Sequence, residues 1–272
     1  MTTTGTDSGR IRLGTRGSRL ALTQSGQVAE ALMAAGAPGE GSGARRDGLD
    51  IDLVTVRTDG DGDRTPLRSL GGVGVFAARL RHALLDGEVD LVVHSFKDLP
   101  TQPVEGLEVI CVPPREDPHD ALCARDGLTL ATLPEGARVG TGSPRRAAQL
   151  LATRPDLEVV DLRGNVPTRL ARVRGLEAVG VGTDEPVAPS RADATGDLDA
   201  VVLALSGLRR LGLEHCASEV LDLETMLPAP AQGALAVEAR AGECSTALAR
   251  AVAVLDDEPT RLAVTAERAL MA

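Results

Sequence analysis

The sequence predicts an α/β fold on three observations. Short β-rich runs alternate with helical patterns along nearly the whole chain. Strand runs such as Leu91-Val92-Val93 are apolar without alternation, which suits a sheet covered on both faces. Between them, Phe76, Leu80 and Leu84 recur at i, i+4 and i+8 and mark one apolar helix face.

The elements follow in order. "RIRLGT", "IDLVTV", "DLVVHS" and "LEVICV" read as strands in the first part, and "ARVGTG", "LEVVDL", "DAVVLAL" and "GALAVEA" in the second. Residues 34–48 and 180–197 are rich in Gly, Pro, Ser and Asp without periodicity and read as loops. "PPREDPHD" (113–120) reads as a crossing between two domains. Ser143 is a good N-cap and Pro144 fits the first helical position, so a helix opens there with Arg145 and Arg146 in its first turn. A second helix opens near Pro167. Asp257 followed by Glu258-Pro259 starts a third, whose pattern runs to Ala272 with no stop signal, as at a cut.

Composition excludes several classes. The 272 residues carry 29 Lys and Arg against 39 Asp and Glu, a formal charge of −10. That balance argues against a nucleic-acid partner, which needs a positive surface. Two Phe and no Tyr or Trp leave no aromatic platform for base stacking. No run approaches the ~20 apolar residues of a membrane span, and "MTTTGTDSGR" lacks the apolar core of an export signal. A cytoplasmic, non-membrane protein is expected. Cys111, Cys123, Cys216 and Cys244 have no C-x-x-C spacing, so no metal site is expected.

Cations gather where strands end. Arg145 and Arg146 sit against the positive end of a helix dipole, a position costing ~0.3–1 kcal/mol each unless an anion is bound there. Arg163 leaves a strand ahead of Gly164-Asn165, and Arg169 lies in the opening turns of the helix that follows. Arg16 and Ser18 stand at a third strand–helix junction, and Lys97-Asp98 ends "LVVHSFKDLP". Ligands of open α/β sheets bind at the carboxyl ends of strands. Several arginines with one carboxylate describe an enzyme for a polyanionic small molecule.

Seven segments also resemble, in order, those of the porphobilinogen deaminase (hydroxymethylbilane synthase) family. They are "LGTRGSRLAL", "LGGVGVFAARLRHALLDGEVDLVVHSFKDLPT", "VGTGSPRRAAQL", "LRGNVPTRL", "LSGLRRLGL", "LPAPAQGALAVE" and "VTAERALMA", spread over residues 10 to 272. The resemblance implies two domains like type 2 periplasmic binding proteins, here residues 1–113 with 233–254, and 118–230 with a loop insertion near 180–197. Residues 256–272 would begin a third, α+β domain. It further implies a transferase of tetrapyrrole (heme) biosynthesis. That enzyme condenses four porphobilinogen molecules into hydroxymethylbilane, releasing ammonia each time, on a covalently attached dipyrromethane. A monomer is expected.

Carried over residue by residue, Asp98 matches the catalytic carboxylate; deamination passes through azafulvene and cationic pyrrole species, which a carboxylate stabilises. Arg16, Arg145, Arg146, Arg163, Arg169 and Arg210 match positions that grip acetate and propionate groups, a task suited to guanidinium forks. Ser18, Lys97, Thr141, Ser143, Gly164 and Gln232 match neighbouring cofactor or substrate contacts. Phe76 matches a lid phenylalanine, although its periodicity fits a core position equally. His94 is read as structural.

Three residues depart from the family pattern: Val73 stands where Lys is common, and Gly142 and Pro144 alter "TSSLRR". The cofactor cysteine would follow the "TAERA" helix, beyond Ala272. Cys244 precedes that helix, so no attachment cysteine is assigned and the 272-residue chain by itself is expected to be inactive. A rival reading is a non-catalytic, two-lobed protein for small anions.

Overall fold

The computed structural model describes residues 10–36, 48–56, 75–176 and 196–271, with only the backbone of residues 75 and 76. Among them run ten strands: β1 (Ile11–Thr15), β2 (Ile51–Thr55), β3 (Leu91–Ser95), β4 (Leu107–Cys111), β5 (Asp120–Ala124), β6 (Arg138–Gly140), β7 (Glu158–Val160), β8 (Ala200–Ala204), β9 (Glu219–Leu221) and β10 (Leu235–Arg240). The α-helices are α1 (Arg19–Ala35), α2 (Val75–Leu85), α3 (Pro144–Thr153), α4 (Val166–Leu170), α5 (Leu205–Arg210), α6 (Thr246–Leu255) and α7 (Glu258–Ala269). No helix among the described residues is long and apolar enough to cross a membrane. The chain divides into two compact units, Met1–Arg115 with Ala234–Ala272, and Glu116–Gly233.

The first unit is built on a five-stranded sheet in the order β2-β1-β3-β10-β4. β1 runs parallel to β2 and β3, whereas β10 is antiparallel to β3 and β4. Because side chains alternate along a strand, Leu91 and Val93 point into one apolar cluster and Val92 into another. The first cluster joins them to Leu13, to Val28 and Leu32 of α1, and to Leu248 and Ala251 of α6. The second joins Val92 to Leu80, Ala83 and Leu84 of α2. Both faces are thus covered, as the unbroken apolar run predicts. Burying each such Val or Leu contributes about 1.5–3 kcal/mol.

The second unit repeats the plan in the order β7-β6-β8-β5-β9. β6 is parallel to β7 and β8, and β5 is antiparallel to β8 and β9. Leu122, Val139, Val202 and Leu221 from the strands pack with Leu150 of α3. All five residues of β5 are buried. The eight strands expected from sequence are present with ends moved by one or two residues, while β5 and β9 add two more. β5 follows directly on the charged stretch read as a crossing, and its first residue is an acid, which disguises it.

The helix starts are those expected. Ser143 Oγ caps α3, Asn165 Oδ1 caps α4 and Asp257 caps α7, each accepting from a backbone N–H three residues on. The end of α7 differs from expectation. The helix stops at Ala269 rather than running to Ala272, and Arg268 supplies a cation in its last turn. Thr260 and Val264 of α7 are buried, while Leu262, Ala263 and Leu270 are exposed. Most of the two expected loops, together with Val73, lies outside the described residues.

Candidate functional site

In the first unit, β3 ends in a 3-10 turn, Phe96–Asp98. Residues i and i+3 of such a turn share a face. Phe96 and Leu99 are both buried, 8% and 2% exposed, which leaves Lys97 half-buried and Asp98 exposed. The turn is pinned at its start by Phe96 N–H donating to Ala234 O (3.0 Å) and closed by Leu99 N–H donating to Phe96 O (3.2 Å). Core packing below the turn thus presents the pair above it.

His94, one residue from the strand's end, is buried and lies 3.1 Å from Glu238 Oε2. Arg81 donates to the same carboxylate at 2.8–3.1 Å. Burial alone would raise the Glu238 carboxyl, but the His94 and Arg81 contacts outweigh it and hold the pKa below the ordinary value. His94 is therefore part of an internal polar cluster. At the β1–α1 junction, Ser18 Oγ accepts from Ala21 N–H (3.3 Å) and caps α1. Arg16 is half-buried beside it. Arg19, which sequence reasoning passed over, has its Nη1 buried without a hydrogen-bond partner among the described residues.

In the second unit one carboxylate organises several candidates. Asp120, fully buried at the start of β5, accepts from Arg145 Nη2 (2.7 Å), Arg146 Nη2 (2.7 Å) and Gln232 Nε2 (2.8 Å). Arg145 also donates to Leu227 O, Arg146 to Val202 O and Gln232 to Pro118 O. The first anion of the two arginines is therefore the protein's own. Burial would raise the Asp120 carboxyl; Arg146 and then Arg145 reverse this and hold it below the usual carboxylate range. Asp120 was missed because nothing in "PPREDPHD" separates a buried acid from solvated ones.

Around this centre, Thr141 is buried and its Oγ1 accepts from Ser143 N–H (3.2 Å). Arg210 Nη2 donates to Gly233 O (2.7 Å), and burial draws its pKa below the ordinary arginine value. Gly233 has φ +90, and a Cβ there would lie 2.2 Å from Glu116 O, so only glycine fits beside Gln232. Gly164 has φ +112 and turns the chain after β7, where Arg169 Nε donates back to Gly164 O (2.7 Å). Arg163 is half-buried, and its Nη2 is buried with no partner among the described residues.

The structure thus places Arg16, Ser18, Lys97 and Asp98 in the first unit. It places Thr141, Ser143, Arg145, Arg146, Arg163, Gly164, Arg169, Arg210 and Gln232 in the second. Phe76 lies in the first turn of α2, with its side chain outside the described residues. Of the four free cysteines, Cys111, Cys123 and Cys216 are buried and Cys244 is exposed. Burial pushes the thiols of Cys111 and Cys123 up to about 12. Among the described residues no group of three His, Cys, Asp or Glu could hold a metal ion.

A periplasmic substrate-binding protein of an ABC transporter from Coxiella burnetii superposes with a TM-score of 0.50 at 16% identity, covering 94% of this chain and 96% of that one. At that identity the likeness shows the fold alone, the two-domain plan of type 2 periplasmic binding proteins. Porphobilinogen deaminase of Micrococcus luteus is 56% identical over 274 residues, covering 96% of this chain and 69% of the relative. That of Cutibacterium acnes is 55% identical over 262 residues, covering 96% and 72%. Residues 11–247 match the family described as porphobilinogen deaminase, dipyromethane cofactor binding domain. With a match across most of its length, and with relatives more than half identical, this chain belongs to the porphobilinogen deaminase family.

Proposed function

We propose that this chain supplies the dipyrromethane- and porphobilinogen-handling residues of a hydroxymethylbilane synthase, with Asp98 as its catalytic carboxylate. The carrying observation is a contrast in how charges are held. Arg145 and Arg146 share the single internal carboxylate of Asp120, and Arg146 Nε and Arg163 Nη2 are buried without a partner among the described residues, whereas Asp98 lies exposed on its turn. A buried donor without a partner among these residues calls for a further acceptor, which a bound carboxylate would supply.

The donor set suits dipyrromethane, whose acetate and propionate groups are carboxylates. Arg163 and Arg169 in the second unit, and separately Arg16 and Lys97 in the first, each offer cations for such groups. Guanidiniums bind carboxylates bidentately, and the ammonium acts as a point charge. Arg145, Arg146 and Gln232, fixed by Asp120, face the same task with little rotamer freedom left to lose. When bound, dipyrromethane supplies the primer to which each pyrrole is joined. Asp98 would lie against a pyrrole N–H, balancing the positive charge that develops as ammonia departs and relaying a proton. None of the four cysteines is assigned as its attachment point; the thiols of Cys111 and Cys123, at about 12, stay protonated at neutral pH. All four are free, which supports a reducing compartment such as the cytoplasm.

Ammonia release tests this reading. Enzyme loaded with dipyrromethane and given porphobilinogen is expected to release one ammonia per pyrrole consumed. Tight binding of porphobilinogen without ammonia release would support a non-catalytic anion binder instead.

A further inference from the structure

The exposed side chain of Asp98 takes its direction from the backbone of its turn. That backbone is held by a residue 170 positions away in sequence. Arg268, in the last turn of α7, donates from Nη1 to Phe96 O (3.1 Å) and Leu99 O (2.7 Å), and from Nη2 to Pro100 O (2.8 Å). Its guanidinium carbon lies 4.5 Å from the centroid of the Phe96 ring. The three carbonyls flank Lys97 and Asp98 on both sides, so one planar group fixes both ends of the segment.

Packing does not replace this clamp. A cavity of about 270 Å³ lies behind the turn, lined by Phe96, Leu99, Pro100, Arg81, Glu238 and Arg268 among others. The guanidinium of Arg268 is part of that lining. The helix that carries it is anchored independently. Glu267 accepts two hydrogen bonds from Arg115 (2.5 and 2.9 Å), and Thr260 Oγ1 accepts from Arg115 N–H (3.1 Å). A lysine in place of Arg268 would keep the charge but lose the fork and the stacking plane, which no single ammonium reproduces.

We propose that Arg268 is a positioning residue that sets the Asp98 turn, so that the seating of α7 determines where the catalytic carboxylate points. This rests on the assignment of Asp98 above. Hydrogen exchange on the 272-residue chain reads the anchoring without any cofactor. In Arg268→Gln, the Phe96 and Leu99 amides, which donate to Ala234 O and Phe96 O, are expected to exchange about tenfold faster, given the worth of hydrogen bonds to a charged group. The Pro144–Thr153 helix is expected to stay unchanged, with Arg268→Lys intermediate. Unchanged exchange at Phe96 and Leu99, or faster exchange throughout the chain, would overturn the proposal.

In the dipyrromethane-loaded enzyme, Arg268→Gln is expected to lower kcat about 10–100-fold with KM within about threefold. In an Asp98→Asn background it is expected to cost nothing further. A full additional loss in the double variant would show that Arg268 does not act through Asp98. If Asp98→Asn alone kept full turnover, the catalytic assignment would fail, while hydrogen exchange would still decide the anchoring.

Discussion

Replacing Asp120 by Asn leaves Arg146 buried, 6% exposed, with its nearest counter-charge gone. Breaking a buried ion pair in this way costs about 3–5 kcal/mol, which urea unfolding at pH 7 would read directly. The pH dependence has a definite sign. The Asp120 carboxyl is held below the ~3.9 of an unfolded aspartate. Its stabilisation is therefore complete above that value and lost as pH falls through the folded pKa. Asp120→Asn should remove this acid-labile part, so the two unfolding curves converge at low pH; parallel curves would contradict the network. The contrast with Asp98 shows what sequence could tell. The turn that carries Asp98 was legible because it ends an apolar strand within a long family motif. Asp120 was not, because its partners stand 25, 26 and 112 residues away and its burial is a tertiary property.

Among the elements, caps were the most legible features. Ser143 and Asp257 were read as caps and cap α3 and α7 through local chemistry, and the structure adds Ser18 and Asn165, read only as a junction and a turn, as the caps of α1 and α4. β9, three residues long, carries too little pattern to announce itself, and β5 begins on a charge. The overrun of α7 has a similar cause: Leu270 and Met271 continue a helical pattern that the chain abandons at Ala269. The bend before β10 makes a prediction of its own. Ala231 holds φ +61, a left-handed conformation costing about 1–2 kcal/mol for a residue with a Cβ. Gly233 follows at φ +90 with no room for a side chain. Gly233→Ala should destabilise the protein by more than about 1 kcal/mol, lowering Tm by at least ~2 °C. It should also disturb Arg210, which donates to the Gly233 carbonyl. An unchanged Tm would mean that the backbone there relaxes freely.

Across the molecule, the two sheets share one plan: three parallel strands, then an antiparallel strand, then an edge. The parallel strands were readable from their apolar runs, but the strand order was not. β10 pairs with β3 and β4 across more than 120 residues, and no local pattern encodes such a pairing. The second unit is continuous in sequence and its ends meet, with Glu116 N–H donating to Gly233 O (3.3 Å). It also owns its apolar core. A 116–233 fragment should therefore fold alone with a cooperative thermal transition; a non-cooperative melt by circular dichroism would refute that. The central claim is that a carboxylate at the end of β3 performs the chemistry while cations hold the ligand. The most direct test is the turnover of Asp98→Asn in the dipyrromethane-loaded enzyme, with intact mass reporting cofactor retention. The account predicts a fall in kcat of about 10²–10⁴-fold with dipyrromethane still bound. Unchanged kcat would contradict it.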